Sequence, residues 1–259
     1  MMRSAQRVLR TAQTFFPALG DIKAAAQDRL ARLTRIPFEA DFRALRLFGG
    51  EGRLHLDIGA NRGQSITAIR MCATRPRIVS FEPNPKLAAA LKRRFAETPG
   101  LRIEPVGLGA SEGEFTLHIP SYRGYVFDGL ASTDREAAAS WLNEHTLIGF
   151  DPAKLSIETV RCRIRRLDDF GLEPFFIKVD VQGTELQVLQ GGERTIATHR
   201  PVLLLEWPEE ELVAWLAARG YRRYAFEARE QVFRHDQGGT LNSFFMTEDK
   251  AALVGKQLQ

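Results

Sequence analysis

Four acidic residues stand at or near the ends of apolar stretches typical of buried strands, and their side chains could bind a polar ligand. Asp57 lies in "RLHLDIG", and Glu82, Asp180 and Glu206 end "RIVSFE", "FFIKVD" and "PVLLLE". In open parallel sheets, ligands bind beyond the carboxyl ends of the strands, at the point where the strand order reverses. We therefore expect these carboxylates to meet at one sheet edge and to form a binding site there.

The elements around these acids predict an α/β fold. From Arg53 onward, short apolar stretches alternate with amphipathic helical patterns, which is typical of a mainly parallel sheet with helices on both faces. The chain has 259 residues, of which 44% are hydrophobic and 26% charged, as in one globular domain with a modest extension. We expect an N-terminal helical extension over residues 1–47 and a main domain over residues 48–259.

The turn after the first strand narrows the choice of ligand. Its residues are Gly59, Ala60, Asn61, Arg62, Gly63 and Gln64. Asn and Gln thus replace the second and third glycines of the dinucleotide fingerprint G-x-G-x-x-G. The carboxylate of Asp57 would repel a pyrophosphate but would attract the amino group of S-adenosylmethionine. Because Glu82, 25 residues further on, also suits ribose hydroxyls, the pattern favours S-adenosylmethionine over NAD.

Several longer motifs carry a family resemblance. They are "LDIGANRGQS", "VSFEPNP", "VGLGASEGEFTL", "RRLDDF", "FIKVDVQGTELQVLQGGE" and "RPVLLLE". Together, over roughly residues 38–246, they resemble the FkbM-type family of S-adenosylmethionine-dependent methyltransferases. The resemblance implies a class I methyltransferase (Rossmann-like) fold, with a seven-stranded, mainly parallel sheet whose last strand is antiparallel. It also implies O-methylation of a hydroxyl on a small molecule, sugar or glycolipid.

The resemblance further implies which residues bind the cofactor. They are Asp57, Gly59, Asn61, Gly63, Glu82, Leu108 and Gly109. The first two would line the methionine end of S-adenosylmethionine, Asn61 and Gly63 would shape the turn, Glu82 would hold the ribose, and the last two would lie near the adenine. Many relatives have Glu where Gln182 stands in "DVQG", so a role at that position does not carry over.

A hydroxyl acceptor benefits from a base, and Asp180 is the first candidate because it ends a strand beside the first one. A helix-capping or structural role is the alternative for this residue. Glu185 is a second catalytic candidate near the same edge. No metal is predicted, although Asp180 and Glu206 could hold a divalent cation that polarises the hydroxyl instead. His145 could transfer protons, or it could be a surface residue.

Residues 121–159 interrupt the regular alternation of strands and helices. Their periodicity is weak apart from a short helical pattern around "REAAASWLNEH". An insertion of this length in a compact domain is usually functional or mobile, so we expect a lid over the substrate. Its aromatic side chains would form an apolar wall for the acceptor, or would cover a sheet edge. They are Tyr122, Tyr125, Phe127 and Trp141.

Positive charge is concentrated at the N-terminus. The net charge is +4, and residues 1–35 contain seven Lys or Arg against two acids. The main domain therefore lacks the basic face that a nucleic-acid groove requires, and no nucleic-acid partner is predicted. Ile22, Ala26, Leu30 and Leu33 fall on one helical face, which would either pack on the domain or lie on a lipid surface.

The remaining expectations concern location and alternative functions. No apolar stretch reaches the roughly 20 residues needed to span a bilayer, and the N-terminus lacks the pattern of a signal peptide. We therefore expect a cytoplasmic protein, with contact to the inner membrane surface through residues 1–35 as an option. Besides a methyltransferase, a non-catalytic adenosine-ligand or membrane-associated binding protein and an NAD-dependent oxidoreductase are open.

Overall fold

The computed structural model describes residues 2–16, 29–31, 33–34, 36–181 and 183–259, with side chains from residue 7 onward. The chain forms two compact units. The smaller unit comprises Met1–Leu30 and Glu114–Cys162, and the larger comprises Ala31–Gly113 and Arg163–Gln259. These units divide the chain differently from the expected boundary at residues 47 and 48. In the described residues, no helix is long and apolar enough to cross a membrane.

Strands of the described residues form two sheets. They are β1 Leu54–Ile58, β2 Arg77–Phe81, β3 Leu101–Glu104, β4 Gly107–Leu108, β5 Gly113–Tyr122, β6 Tyr125–Val126, β7 Leu155–Arg165, β8 Phe176–Val179, β9 Val202–Glu206, β10 Arg222–Glu227, β11 Val232–His235 and β12 Asn242–Met246. The main sheet, in the larger unit, has the order β11-β10-β12-β9-β8-β1-β2-β3.

The main sheet has the predicted mixture of strand directions. Strands β3, β2, β1, β8 and β9 are parallel, and the last strand, β12, is antiparallel to both β9 and β10. The predicted class of fold is therefore confirmed. The expected number of seven strands is wrong, because β11 pairs antiparallel with β10 and adds an eighth strand at the outer edge.

Helices cover both faces of the main sheet. The α-helices of the described residues are α1 Met2–Gln13, α2 Leu45–Phe48, α3 Gln64–Cys72, α4 Pro85–Arg94, α5 Arg135–Ser140, α6 Glu185–Gln190, α7 Glu193–His199, α8 Glu210–Ala217 and α9 Glu248–Ala252. Side chains of α3, α4 and α9 belong to one apolar cluster, and those of α6, α7 and α8 to another. Alternate residues of β9 contribute to the two clusters, as expected for a strand buried on both faces.

Two local predictions have different outcomes. Asn84 caps α4 by accepting a hydrogen bond from the amide of Lys86 at 3.0 Å, with Pro85 at the first helical position, as predicted. The expected third strand over "LRIEPVGLG" is instead divided into β3 and β4. Pro105 follows β3 and has no amide hydrogen to donate to a neighbouring strand, and β4 pairs with the end of β7.

The smaller unit contains residues expected to form a lid, and it has a core of its own. Strands β5 and β6 and most of β7 belong to it, and Tyr122, Leu142 and Leu147 are buried together. The Tyr122 hydroxyl accepts a hydrogen bond from the amide of Asp151 at 2.9 Å. Residues 121–159 are thus a packed part of this unit rather than an irregular loop.

The predicted apolar face near the N-terminus is only partly described. Ile22 and Ala26 lie outside the described residues. Leu30 and Leu33 are described, and both are exposed. The interpretation that this face packs on the domain is therefore wrong for Leu30 and Leu33.

His55, in β1, is expected to make the fold sensitive to acid. Its ring is buried beside Phe175 and Phe176, and its Nδ1 lies 2.9 Å from the carbonyl oxygen of Arg53. Burial lowers the pKa of His55 to about 4 from its ordinary 6.5. The unfolded chain therefore binds this proton at higher pH than the folded chain does. Stability from a neutral His55 is present above pH 6.5 and is lost as the pH falls towards 4.

We expect urea unfolding to show this loss as about 2 kcal/mol between pH 7 and about pH 4.5. His55→Leu removes the titrating group, so its free energy of unfolding should fall less over the same interval. Other acid-sensitive groups are shared by both proteins and cancel in the comparison. An equal loss in both proteins would show that His55 does not cause it.

Candidate active site

The four acids singled out from the sequence lie at the carboxyl ends of four strands in the larger unit. Asp57 is in β1, Glu82 follows β2, Asp180 follows β8 and Glu206 ends β9. The chain passes from β1 to β2 on one side and from β8 to β9 on the other. The point where the strand order reverses therefore lies between β1 and β8, where such folds bind ligands.

Gly59 begins the turn after β1 and lies directly against the end of β8. Its φ is +87°, and a Cβ atom there would lie 1.9 Å from the carbonyl oxygen of Asp180. The amides of Gly59 and Ala60 both donate to the carbonyl oxygen of Phe81, at 3.0 and 3.1 Å. Glycine is therefore required here by the close approach of two strand ends, whatever ligand the turn holds.

Glu82 is held by the turn that it faces. Its Oε2 accepts a hydrogen bond from the amide of Asn61 at 2.7 Å, and its Oε1 accepts one from the amide of Asn84 at 2.9 Å. Asn61 has a φ of +46°, and Gly63, with a φ of +82°, leads into α3. Backbone donors on both oxygens fix the carboxylate in position at the end of β2. This arrangement suits two ribose hydroxyls.

Asp57 has an unsatisfied oxygen at the same edge. Its side chain is fully buried, and its Oδ2 accepts a hydrogen bond from the Ser80 hydroxyl at 3.1 Å. The Ser65 hydroxyl also lies close enough to lower the pKa of this carboxylate, but Oδ1 has no partner within hydrogen-bonding geometry among the residues that the structure describes. Burial raises the pKa of Asp57, and a cationic donor would stabilise the ionised form. The ammonium group of S-adenosylmethionine therefore fits this oxygen.

Lys178 is a buried cation between two of these acids. Strand register pairs it with Asp57, and its Nζ lies 3.0 Å from Oδ2 of Asp180. Burial opposes its charge, but the carboxylates of Asp57, Asp180 and Glu39 outweigh that effect and raise the pKa of Lys178. Lys178 is therefore a fixed positive charge that orients Asp180. A lysine inside the apolar stretch "FFIKVD" is the sequence signal that could have identified it.

Glu206 and Asp180 form an electrostatically coupled pair of carboxylates. They stand at the ends of neighbouring parallel strands, so the charge of one acts on the other. Burial and the charge of Asp180 raise the pKa of Glu206 to about 7. Asp180 is partly exposed, so a ligand can reach it. The pair can thus accept a proton near neutral pH.

Glu39, Asp41 and Asn242 extend the acidic site and are not predicted from the sequence. Asn242 Nδ2 donates to Oε2 of Glu39 at 3.2 Å and to Oδ2 of Asp41 at 2.9 Å. Asn242 is also the register partner of Glu206. Burial raises the pKa of both Glu39 and Asp41. No motif marks these residues, because the two acids precede the first strand and Asn242 lies near the other end of the chain.

Glu185, a predicted catalytic residue, forms hydrogen bonds that stabilise the local backbone. Its carboxylate accepts hydrogen bonds from the amides of Val181 at 3.3 Å and Gly183 at 3.0 Å. It therefore closes the turn that follows Asp180, and its catalytic role stays a prediction. His145 lies in the smaller unit, where it is exposed and 3.8 Å from Glu144. Gln182 lies outside the described residues.

Leu108 and Gly109 lie in a tightly packed segment after β3. Leu108 is buried in the cluster with α6 and α7. The amide of Gly109 donates to the carbonyl oxygen of Arg165 at 3.1 Å, and a Cβ atom at Gly191 would lie 1.9 Å from the carbonyl oxygen of Gly109. The helix predicted over "TELQVLQGGERTI" accordingly breaks at this glycine into α6 and α7. The proximity of Leu108 and Gly109 to the adenine stays a prediction.

The aromatic residues of the insertion do not share one environment. Tyr122 is buried and stacks on Phe150, with ring centroids 5.4 Å apart, so it belongs to the core of the smaller unit. Tyr125 and Phe127 contact each other edge to face, with centroids 4.8 Å apart. Trp141 is exposed. The prediction that all four aromatic side chains form one wall is therefore wrong, because Tyr122 is buried in the core of the smaller unit.

A metal site would need further ligands beside Asp180 and Glu206. In the described part of the chain, no group of three or more His, Cys, Asp or Glu side chains could hold a metal ion. The cation among these carboxylates is Lys178, which contacts Asp180 directly.

The fold has the arrangement predicted for a class I methyltransferase, with acids at the strand ends where a ligand would bind. The antiparallel last strand lies between β9 and β10, and acids line the carboxyl edge at the reversal of strand order. Sequence comparison identifies the family, because the profile described as "Methyltransferase FkbM domain" matches residues 57–223. This match covers more than half of the chain, so the chain belongs to the FkbM methyltransferase family.

Individual relatives cover parts of the chain. It is 29% identical over 162 residues to the 2-O-methyltransferase NoeI of Sinorhizobium fredii, covering 61% of this chain and 64% of NoeI. It is 33% identical over 175 residues to the AMB antimetabolite synthetase AmbE of Pseudomonas aeruginosa, covering 58% of this chain and 8% of AmbE. The chain thus spans less than two thirds of the length of either relative.

Among solved structures, the methyltransferase FkbM of Methylobacillus flagellatus KT is similar with a TM-score of 0.46 and 18% identity. The similarity covers 75% of this chain and 43% of that chain.

Proposed function

We propose that this chain transfers a methyl group from S-adenosylmethionine to a hydroxyl oxygen of a small molecule, sugar or glycolipid. The observation that carries the proposal is the environment of Asp180, a partly exposed carboxylate that buried Lys178 contacts at 3.0 Å and that lies beside Glu206 at the ends of neighbouring strands. Such a group suits removal of a hydroxyl proton. Family membership supports methyl transfer, and the name of NoeI, a 2-O-methyltransferase, supports oxygen as the acceptor.

Each residue of the site has a task in this mechanism. S-adenosylmethionine, when bound, supplies a methyl group already activated on a sulfonium. Asp57 would hold its ammonium group through Oδ1, and Glu82 would hold its ribose hydroxyls. Asp180 takes the proton of the acceptor hydroxyl, and Glu206 is electrostatically coupled to it. Lys178 keeps Asp180 in place, so that the acceptor oxygen is aligned as it loses its proton.

An assay over several acceptors tests the proposal. The full chain would be incubated with S-adenosylmethionine and a panel of alkyl glycosides, and S-adenosylhomocysteine release and methylated product would be followed by mass spectrometry. We expect product from at least one glycoside, with the methyl group on oxygen. Methylation of amino groups only, in a parallel panel of amino sugars, would contradict the proposed acceptor.

Glu82→Gln is expected to weaken S-adenosylmethionine binding at least about tenfold, because an amide cannot accept hydrogen bonds on both sides as the carboxylate does. Calorimetry would measure the affinity, with NAD as a second ligand that should give no heat. Glu104→Gln is the matched control, since Glu104 ends the neighbouring strand and pairs with Arg102 at 2.8 Å. Heat from NAD, or equal affinity in both variants, would contradict the assignment.

The pH dependence of the reaction should follow the Asp180–Glu206 pair. Because the pKa of Glu206 is raised to about 7, we expect kcat/KM to increase with pH and to level off above about 7. Glu206→Gln removes the coupled acid, so the midpoint should move to lower pH. The measurement is a pH profile of S-adenosylhomocysteine release. A midpoint that stays near 7 in the variant would assign the titration to another group.

A further inference from the structure

The polar side of α1 faces its own unit. The Arg7 guanidinium donates to the carbonyl oxygens of Glu144 and Leu147 at 2.5 and 3.2 Å. The amide of Ile148 donates to the Thr11 hydroxyl at 2.9 Å. These hydrogen bonds tie the helix to the loop after α5. In most surface helices the polar residues face solvent, whereas here Arg7 and Thr11 contact the protein.

Apolar side chains of α1 and of the segment after it are exposed as a result. Val8 is 55% exposed and Leu9 60%, and Phe15 and Phe16, just beyond the helix, are 55% and 62% exposed. We call these four residues the apolar docking face. A surface helix usually buries its apolar residues, and an exposed apolar patch usually marks a site that binds another molecule or a membrane.

Positive charge borders the apolar docking face. The Arg123 guanidinium lies 4.2 Å from the ring centroid of Phe15, and that of Arg10 lies 4.4 Å from exposed Trp141. Residues 1–20 include three arginines and no acid. Exposed acids are present as well: Glu144 belongs to the contacted loop and lies 3.8 Å from His145, and Asp151 lies close enough to Arg123 for their charges to interact. Exposed aromatic rings with arginines against them match the interface of an anionic lipid bilayer.

We propose that the apolar docking face binds the surface of an anionic lipid bilayer, with its side chains entering the interface and the bordering arginines near the headgroups. The exposed area of the four side chains is about 400 Å², half of the roughly 800 Å² per partner that a stable protein interface buries. A second copy of this chain is therefore a poorer occupant than lipid. This inference depends only on the smaller unit and not on methyl transfer.

Sedimentation of the full chain with vesicles tests the proposal. Vesicles of phosphatidylcholine alone would be compared with vesicles that also contain phosphatidylglycerol. We expect binding to the anionic vesicles to be at least about tenfold stronger and to weaken with added salt. The double variant Phe15→Ser and Phe16→Ser should lose about tenfold in affinity or more. Leu253→Ser is the matched control, because Leu253 is 48% exposed on the larger unit, and it should bind normally.

The alternatives have distinct results. Equal binding to neutral vesicles, or unchanged binding of the double variant, would overturn the proposal. So would concentration-dependent self-association without vesicles that the double variant abolishes, since this would identify a second copy as the occupant. Leu9→Ser provides an independent variant if the double variant unfolds. Calorimetry with S-adenosylmethionine on the same proteins separates a failure here from a failure of the proposed function.

Discussion

Asp180→Asn is expected to lower kcat for methyl transfer by roughly 10²- to 10⁴-fold. Asparagine has the shape of aspartate but cannot accept the proton of the acceptor hydroxyl. The affinity for S-adenosylmethionine should change little, because the groups suited to that ligand are Asp57 and Glu82. S-adenosylhomocysteine release at saturating substrate measures kcat, and calorimetry measures the affinity.

The fold should tolerate this substitution. In this variant Lys178 loses the carboxylate that lies 3.0 Å from its Nζ. The negative charges of Asp57, its register partner, and of Glu39 still compensate the positive charge of Lys178. Asp134→Asn is a matched control, because Asp134 caps α5 and asparagine caps helices equally well. It should retain full activity. If Asp180→Asn also retained its kcat, Asp180 would be a structural partner of Lys178 and not the base.

Gly59→Ala is expected to destabilise the larger unit by about 3–5 kcal/mol, from two separate costs. The first is the left-handed backbone, since the φ of Gly59 is +87°. The second is the collision of the new methyl group with the carbonyl oxygen of Asp180, 1.9 Å away. Urea unfolding would measure the loss. Affinity for S-adenosylmethionine should fall as well, because the turn must move.

Two other glycines separate these costs. Gly171 has a φ of +57° and a ψ of +38°, with nothing within 4 Å of a Cβ atom, so Gly171→Ala should show the left-handed backbone cost alone, about 1–2 kcal/mol. Gly191 has a φ of −67°, but its Cβ would lie 1.9 Å from the carbonyl oxygen of Gly109. Gly191→Ala should therefore show the collision alone. If Gly59→Ala cost no more than Gly171→Ala, the contact with Asp180 would not be rigid.

Much of the main sheet could be predicted from the sequence, because its signals are local. Strand β1 alternates its side chains between two buried faces, β8 and β9 are continuous apolar stretches, and Asn84 with Pro85 marks the start of α4. The positions of the acids at strand ends follow from these same signals. Strand β11 has only four residues and no long apolar run, so the local sequence does not predict that it pairs at the outer edge of the sheet.

The interior of the site depends on contacts that local patterns do not encode. Asn242 meets Glu39 across 203 residues, and neither lies in a motif. Lys178 could be recognised as unusual, but its partners follow only from the register of β8 against β1. Hydrogen bonds that fix Glu185 and the burial of Tyr122 likewise depend on packing. Sequence patterns therefore identified the edge of the sheet and the acids there, but not the charges that compensate them.

The contact between Gly59 and the Asp180 carbonyl oxygen has a consequence for how the site can change. Gly59 opens the turn proposed to face the cofactor, and Asp180 carries the carboxylate proposed to face the acceptor. Because the two backbones touch, the separation between donor and acceptor sides is set by one strand pairing, β1 with β8. Substitutions that change which acceptor is methylated should therefore lie outside the β1–β8 pairing. The distance over which the methyl group is transferred should then stay constant.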